Sequence, residues 1–337
     1  MDLAFLFALW LGKPLWMWLA FVAIVLSLLV LDLGVLHRKT REIGVRESLG
    51  MSGLYIALGL AFGGWVWWYL GQEAGMAYLT GFAVEKALAM DNVFVIAMIF
   101  AFFSVPRLYQ HRVLFWGILG VIVLRAVMIG LGATIVAQAS WVLYLFALFL
   151  ILTGVKMIVF ADRSYDVGSN PVLAFMRRRF NVTNTLHGER FFVRQVSPES
   201  GKPAWFMTPL FLALVMIEIA DVIFAVDSVP AIFAITTDPF VVYTSNIFAI
   251  LGLRALYFAL AAMVDRFHYL KYALAGVLLF IGSKIFVADW LGLEKFPPVL
   301  SLGITFGLLA AGVLWSLWKT RAGTSARLSQ DRAALPR

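Results

Sequence analysis

The sequence predicts an all-α fold: a polytopic membrane helix bundle of about nine transmembrane helices, each needing about 20 mostly apolar residues. Three observations predict it. Of the 337 residues, 62% are hydrophobic and 14% charged, and the mean hydropathy is +0.91. An ordinary soluble domain is about 45–50% apolar and about 25% charged. The apolar residues fall in runs long enough to cross hydrocarbon, and the basic residues gather in alternate loops, as membrane topology demands.

In chain order the runs are 15–36, 53–71, 77–103, 113–137, 141–161, 206–236, 244–264, 268–288 and 298–318. The start, Met1-Asp2-Leu3, has no basic n-region and no small-residue cleavage site, so no cleaved signal peptide is expected. Lys13-Pro14 leads into the first run. Loop 37–52 carries Arg38, Lys39, Arg41 and Arg46, whereas 72–76 carries only Glu73. Loop 104–112 has Arg107 and Arg112, and 138–140 has no charge. Loop 162–205 holds Arg163, Arg177, Arg178, Arg179, Arg190, Arg194 and Lys202, whereas 237–243 holds only Asp238. Arg266 marks 265–267, and 289–297 has Asp289, Glu294 and Lys295. The tail has Lys319, Arg321, Arg327, Arg332 and Arg337. Basic loops face the cytoplasm. The N-terminus is then outside and the C-terminus cytoplasmic, and an even span count would break the alternation. One membrane domain, 1–319, is expected, with a polar cytoplasmic loop 162–205 and a disordered tail 320–337.

The net charge of +8 follows from those loops and the tail, so nucleic acid is not an expected partner. Cysteine is absent, which excludes disulfides, iron–sulfur clusters, thiolate metal sites and thiol redox chemistry on this chain. No Ser/His/Asp grouping, phosphate-cradling loop or nucleotide motif occurs, and an enzyme is not expected. The many span glycines suit close helix packing.

Two stretches resemble each other: Glu85-Lys86-Ala87-Leu88-Ala89-Met90-Asp91-Asn92-Val93 and Asp221-Val222-Ile223-Phe224-Ala225-Val226-Asp227-Ser228-Val229. Each has an acid, an aspartate six residues on, a small polar residue and a valine; Glu218 lies just upstream of the second. The resemblance extends further. Arg125 follows Ile118-Leu119-Gly120, and Arg254 follows Ile250-Leu251-Gly252; Gly154-Val155-Lys156 matches Gly282-Ser283-Lys284. The order is acid helix, arginine helix, lysine helix, twice, over 77–161 and 206–288. Three spans per unit is an odd number, so the second copy enters the membrane in the opposite sense. Such inverted repeats place a substrate site near the midplane where they meet.

An ionisable group at membrane depth costs about 2.5–3.5 kcal/mol, so Glu85, Asp91, Glu218, Asp221 and Asp227 together cost about 12–17 kcal/mol before pairing. On a straight helix residues six apart lie about 120° apart around the axis. Glu85 and Asp91 would not share a face, and Glu218 and Asp227 would lie on opposite faces. Either the helix is interrupted or the acids serve different partners. Pro230 removes a backbone donor just after the second motif, which favours interruption of the sixth span.

Asp, Glu, Asn and Ser offer oxygen, and no histidine lies within a predicted span, which suits hard cations such as magnesium, calcium or manganese. The candidate metal ligands are Glu85, Asp91, Asn92, Glu218, Asp221, Asp227 and Ser228; the thioether of Met90 would favour manganese over magnesium. The competing reading is that the five acids pair with Lys86, Arg125, Lys156, Arg254 and Lys284 to hold the bundle. The two are compatible, since a basic residue can hold the empty site and leave when a cation arrives. Asp32 lies near the cytoplasmic end of the first span and reads as interfacial. His37, His111, His187 and His268 fall on or beside cytoplasmic loops.

At these residues the chain resembles the TerC family of integral membrane proteins. The resemblance is carried by Glu85-Lys86-Ala87-Leu88-Ala89-Met90-Asp91-Asn92, by Glu218-Ile219-Ala220-Asp221 running on to Asp227-Ser228-Val229-Pro230, by Leu31-Asp32-Leu33-Gly34-Val35 with His37-Arg38, and by Leu253-Arg254-Ala255-Leu256-Tyr257. It covers roughly 15–318 and implies a nine-span bundle related to LysE-type transporters, with a role in metal-ion homeostasis; Alx-type members export manganese. The family is named for tellurite resistance, which keeps an oxyanion role open. Glu85, Asp91, Glu218, Asp221 and Asp227 match the family motif without departure.

The expected function is therefore a secondary transporter exporting divalent metal ions, manganese first, from the cytoplasm. Carboxylates in low dielectric can trade a metal for protons, so proton exchange is one coupling route. The ion is cargo, and no cofactor is expected; the remaining partner is the lipid bilayer. The alternative is a membrane scaffold in a tellurite or envelope-stress response without transport of its own, in which loop 162–205 would matter more than the acids.

Overall fold

The computed structural model of the chain describes residues 3–34, 44–159, 166–196, 201–260, 270–293 and 296–333, with the side chains of 3–4, 32–34, 45, 91 and 320–333 outside the description. The fold is a polytopic bundle of helices. In order these are α1 (Leu15–Gly34), α2 (Val45–Leu70), α3 (Gln72–Phe102), α4 (Arg107–Gln138), α5 (Val142–Val159), α6 (Pro171–Arg179), α7 (Pro209–Ile235), α8 (Pro239–Leu251), α9 (Leu253–Leu260), α10 (Leu270–Trp290) and α11 (Pro298–Ala333). Among the described residues, seven stretches are long and apolar enough to cross a membrane: α2, α4, α5, α7, the α8–α9 pair, α10 and the first part of α11. In α1 the apolar stretch Leu15–Leu31 is shorter than these seven, and α3 is 31 residues long but carries the first acid motif.

Local chemistry sets the ends. Asp238 caps α8, its carboxylate accepting from the backbone N–H of Phe240 at 3.0 Å and Val241 at 3.4 Å, with Pro239 in the first turn. The helix therefore starts at 239, earlier than the expected 244. Gly71, at φ +92°, joins α2 to α3 without a longer loop. The expected interruption of the sixth span is not found. The helix α7 runs unbroken through Pro230, because neighbouring helices can absorb the lost hydrogen bond of a membrane proline. The break lies one span later, at Gly252 between α8 and α9.

The described residues of 166–207 include α6 and an antiparallel pair of β3 (Phe192–Val196) with β4 (Pro203–Met207) in the register Phe192↔Met207 to Val196↔Pro203. The helix α11 is drawn to Ala333, into the segment expected as a tail. His37, His268 and loop 265–267 lie outside the described residues, as does the side chain of Asp32.

The α8–α9 pair is the centre of the bundle: 94% of its apolar window is buried by other helices. By contrast, α5 turns Leu145, Leu148, Leu152, Val155 and Val159 outward at helical spacing and buries Ala147, Leu150 and Gly154. Apolar residues outside and packed small residues inside are what a lipid solvent selects. Two packings fix helix directions. Late α3 residues (Val93, Ile96, Ile99) share a cluster with early α7 residues (Leu210, Leu212, Ala213), while Val84 meets Ala231 and Ala234, so α3 and α7 run antiparallel. A Cβ on Gly154 would stand 3.0 Å from the Ala275 carbonyl, and one on Gly282 would stand 2.6 Å from the Ala147 carbonyl. This α5–α10 contact is reciprocal and antiparallel, with each glycine against the position equivalent to the other's partner.

Candidate functional site

Glu85 on α3, Arg125 on α4, and Asp221 and Ser228 on α7 meet in the interior, all of them buried. The site follows from helical spacing. On α7, Glu218, Asp221, Ala225 and Ser228 recur at three- and four-residue steps, so they form one face. On α3, Glu85 and Asn92 are seven apart and share a face too. The faces of α3 and α7 converge on α4, where Arg125 is 1% exposed.

The guanidinium is shared between both motifs. Its Nε and Nη2 donate to Asp221 Oδ2 and Oδ1 at 3.2 and 3.1 Å, a two-pronged pair. Its Nη1 donates to Glu85 Oε1 at 2.5 Å and to Ser228 Oγ at 2.6 Å. Asn246, on the buried helix α8, donates through Nδ2 to Glu85 Oε2 at 3.0 Å, and its own Oδ1 has no partner. Glu85 and Asp221 hold the equivalent first positions of the two acid motifs, so the repeat seen in the sequence becomes a spatial pair.

Of the other expected ligands, the described Asp227, Glu218 and Asn92 make no hydrogen bond to this cluster. Asp227 faces α5, where Thr153 Oγ1 donates to it at 3.1 Å and Lys156 attracts it electrostatically. Glu218 sits one turn before Asp221, beside Gly117 and Gly120 of α4, and its buried Oε2 has no hydrogen-bond partner among the described residues. Asn92 is buried with Oδ1 unpartnered. The side chain of Asp91 lies outside the description. Among the described residues no three His, Asp or Glu side chains are placed to hold one ion together. Six of the seven expected ligands have described side chains, and three of those six meet at one point. The convergent three are Glu85, Asp221 and Ser228, already filled by a protein cation.

The charge balance of five acids against five bases is not realised as five pairs. Arg125 takes two acids. Lys86 donates to the Ala249 carbonyl at 3.0 Å, Lys284 to Ser301 Oγ at 3.2 Å, and Arg254 faces His111 Nε2 at 3.0 Å. Sequence reading missed Asn246 and Thr153. The polar triplet Thr244-Ser245-Asn246 inside an apolar run was the available signal for the first.

A cavity of about 800 Å³ opens at one end of the bundle, lined among others by Glu73, Thr80, Tyr144, Asp238, Lys284 and Asp289. Thr80 lies five residues before Glu85, about 7–8 Å along the helix axis. The cavity floor is thus within two turns of the Arg125 cluster. Its polar contacts include Lys13 to Asp238 at 2.9 Å and Tyr144 to Asp289 at 2.6 Å.

Residues 70–324 match the model of the integral membrane protein TerC family. The chain is 45% identical over 310 residues to an uncharacterized membrane protein of Myxococcus xanthus, covering 92% of this chain and 94% of that one. It is 45% identical over 316 residues to a protein of Photorhabdus laumondii named as a proposed membrane-bound redox modulator, Alx (91% and 96% covered). The Escherichia coli K12 protein of the same name is 43% identical over 316 residues, with 91% and 95% covered. No solved structure matches the chain.

Proposed function

This chain belongs to the TerC family of integral membrane proteins, and we propose that it carries a hard divalent cation, manganese foremost, out of the cytoplasm. The observation that carries the reading is the meeting of Glu85 and Asp221. Equivalent acids of two sequence copies, far apart in the chain, share one buried guanidinium together with Ser228. A chain that only needed to anchor helices would gain little from two buried carboxylates on one arginine, because buried ion pairs seldom stabilise relative to apolar packing.

In this reading α1 and α3 also cross the bilayer, giving nine spans in the inner membrane with the N-terminus outside. The units α3–α4–α5 and α7–α9 with α10 form the inverted repeats. The antiparallel run of α3 and α7 and the reciprocal α5–α10 contact support that topology. Glu85, Asp221 and Ser228 provide the midplane oxygens, and Asn246 Oδ1 adds a neutral one. Asn92 and Asp227 extend the polar path, Asp91 remains a candidate ligand by its motif, Glu218 stands beside the site, and the cavity beyond Thr80 is the exit. Carboxylate oxygens without thiolate or imidazole suit manganese, magnesium or calcium. Protons returning to the emptied carboxylates provide the exchange.

The name of the Alx relatives points to redox modulation. With no cysteine, this chain carries out no thiol reaction of its own, and in this reading such an effect would follow from ion traffic. The deciding measurement is uptake into everted vesicles of manganese, magnesium and calcium, each with and without an imposed pH gradient. Manganese accumulation should depend on Glu85 and Asp221. Unchanged accumulation in both Glu85→Gln and Asp221→Asn would remove the proposal.

A further inference from the structure

Two features of the site are left over by export alone. A guanidinium fills the very oxygens a cargo ion would need. Three residues before Asp221, on the same face of α7, stands Glu218, with a buried oxygen that no group among the described residues satisfies. An orphaned buried carboxylate oxygen is costly, and native proteins rarely keep one without use.

The two cations exclude each other. A divalent ion on Glu85 and Asp221 beside Arg125 would leave surplus positive charge in hydrocarbon and set like charges a few ångströms apart. One must leave for the other to bind. The surroundings of Arg125 show where a displaced guanidinium can go. Side chains tilt toward the N-terminus of their helix, which on α4 is toward Gly120 and Gly117. Glu218 fills the space those glycines leave: a Cβ on Gly120 would overlap its carboxyl group, and one on Gly117 would stand 3.9 Å from Oε1. Residues three apart on a helix are surface neighbours, about 5–6 Å between Cβ atoms. A flexible arginine covers that step by rotamer change. Glu218 lies on the side of Asp221 away from the cavity, whose α7 lining is Phe233 to Ile235.

We infer that Arg125 is a resident counter-cation displaced by cargo, and that Glu218 is the carboxylate that receives it. The inference rests on the export reading above. In the empty protein Arg125 holds Glu85, Asp221 and Ser228. When a divalent ion takes those oxygens, the guanidinium retreats one turn to Glu218, away from the cavity. The group comprises three carboxylates and one guanidinium, and one divalent cation cancels the difference. Glu218 is thus a positioning residue acting through Arg125, and not a ligand.

The test is manganese(II) binding to the purified full-length protein by calorimetry, in the native chain, Glu218→Gln, Arg125→Gln and the double variant. Removing the receiver should weaken binding about tenfold, and removing the resident cation should tighten it about tenfold, within the usual range of site coupling. In the Arg125→Gln background, Glu218→Gln should change affinity by less than about twofold, since the receiver has nothing left to receive. An equal loss from Glu218→Gln in both backgrounds would make Glu218 a ligand and overturn the inference. So would weaker binding by Arg125→Gln than by the native chain, which would make the arginine a static brace. If Arg125→Gln does not fold, Arg125→Lys takes its place: a lysine cannot make the two-pronged bond to Asp221, so binding tighter than native is expected and equal or weaker binding overturns the idea. A native chain that binds none of manganese, magnesium or calcium sinks the export reading and this inference together. Binding and transport by the native chain without the coupling sinks this inference alone.

Discussion

Removing one charge from the Arg125 cluster should have opposite consequences depending on which charge goes. Arg125→Gln breaks both buried ion pairs, to Glu85 and to Asp221, and leaves two carboxylates behind. Breaking one buried pair costs about 3–5 kcal/mol because the partner stays buried and unpaired. Two such breaks put the loss at about 6 kcal/mol or more before relaxation. Asp221→Asn breaks one pair for about 3–5 kcal/mol. It also removes the cluster's excess acid, whose presence at membrane depth costs about 2.5–3.5 kcal/mol. The two terms nearly cancel, leaving a loss of about 0–2.5 kcal/mol. The assay is thermal unfolding of the detergent-purified protein, followed by the fluorescence of its 12 tryptophans. At about 2 °C per kcal/mol for a chain of this size, Asp221→Asn should fall by about 5 °C or less and Arg125→Gln by about 10 °C or more. Manganese should then restore part of the Arg125→Gln loss, about 2.7 kcal/mol at a hundredfold excess over the dissociation constant. Equal losses in the two variants would refute the reasoning, because they would mean that Arg125 and the acids contribute as a simple pair.

Gly282→Leu should prevent α5 and α10 from closing, since the added Cβ meets backbone at 2.6 Å (Ala147 O) and 3.2 Å (Ile151 N) as well as the Ile151 side chain at 2.9 Å. Size-exclusion profiles should show loss of the monodisperse peak, while Gly303→Leu, with nothing within 4 Å, keeps it. Asn246→Leu strips Glu85 Oε2 of its donor and should cost about 1–3 kcal/mol in the same thermal assay. Ser245→Ala, whose hydroxyl only returns to Val242 O on its own helix, should cost less than about 1 kcal/mol.

The bundle was legible because a lipid solvent leaves the simplest of signals, long apolar runs punctuated by charge. The site was legible only halfway. Helical geometry places Asp227 off the face of Asp221, and the structure turns Asp227 toward Thr153 of α5. The same geometry says nothing about which faces of separate helices meet, so the joining of Glu85 to Asp221 through Arg125 lay beyond it. Pro230 misled because a missing amide breaks a helix only where nothing else compensates, and α7 is packed against α3, α4 and α5. The break at Gly252 gave a weaker signal: a glycine in an apolar run more often marks close packing, and here it does that too, with Lys86 Nζ 2.8 Å from where a Cβ would stand. Asn246 was hidden because the polar triplet Thr244-Ser245-Asn246 marks a polar spot in the span without naming a partner.

Charge, more than ligand type, is what this site can discriminate. Oxygen donors of one carboxylate from each motif and a hydroxyl would accept sodium as readily in kind as manganese, differing only in strength. A monovalent ion replacing Arg125 at Glu85 and Asp221 merely substitutes one positive charge for another, so nothing is gained for the work of moving the guanidinium. A divalent ion gains the attraction of a second unit charge at short range in low dielectric, where Coulomb energies are several times those in water. The arginine thus sets a threshold that a single charge does not pass, and Glu218 lowers that threshold for two by giving the guanidinium an acid to meet. On this argument sodium at physiological concentration should not compete with manganese for binding to the native chain, and it should begin to compete once Arg125 is replaced by glutamine. A calorimetric titration of both proteins in sodium and in choline buffers reads the difference directly; equal sodium competition in the two would show that the guanidinium sets no threshold at all.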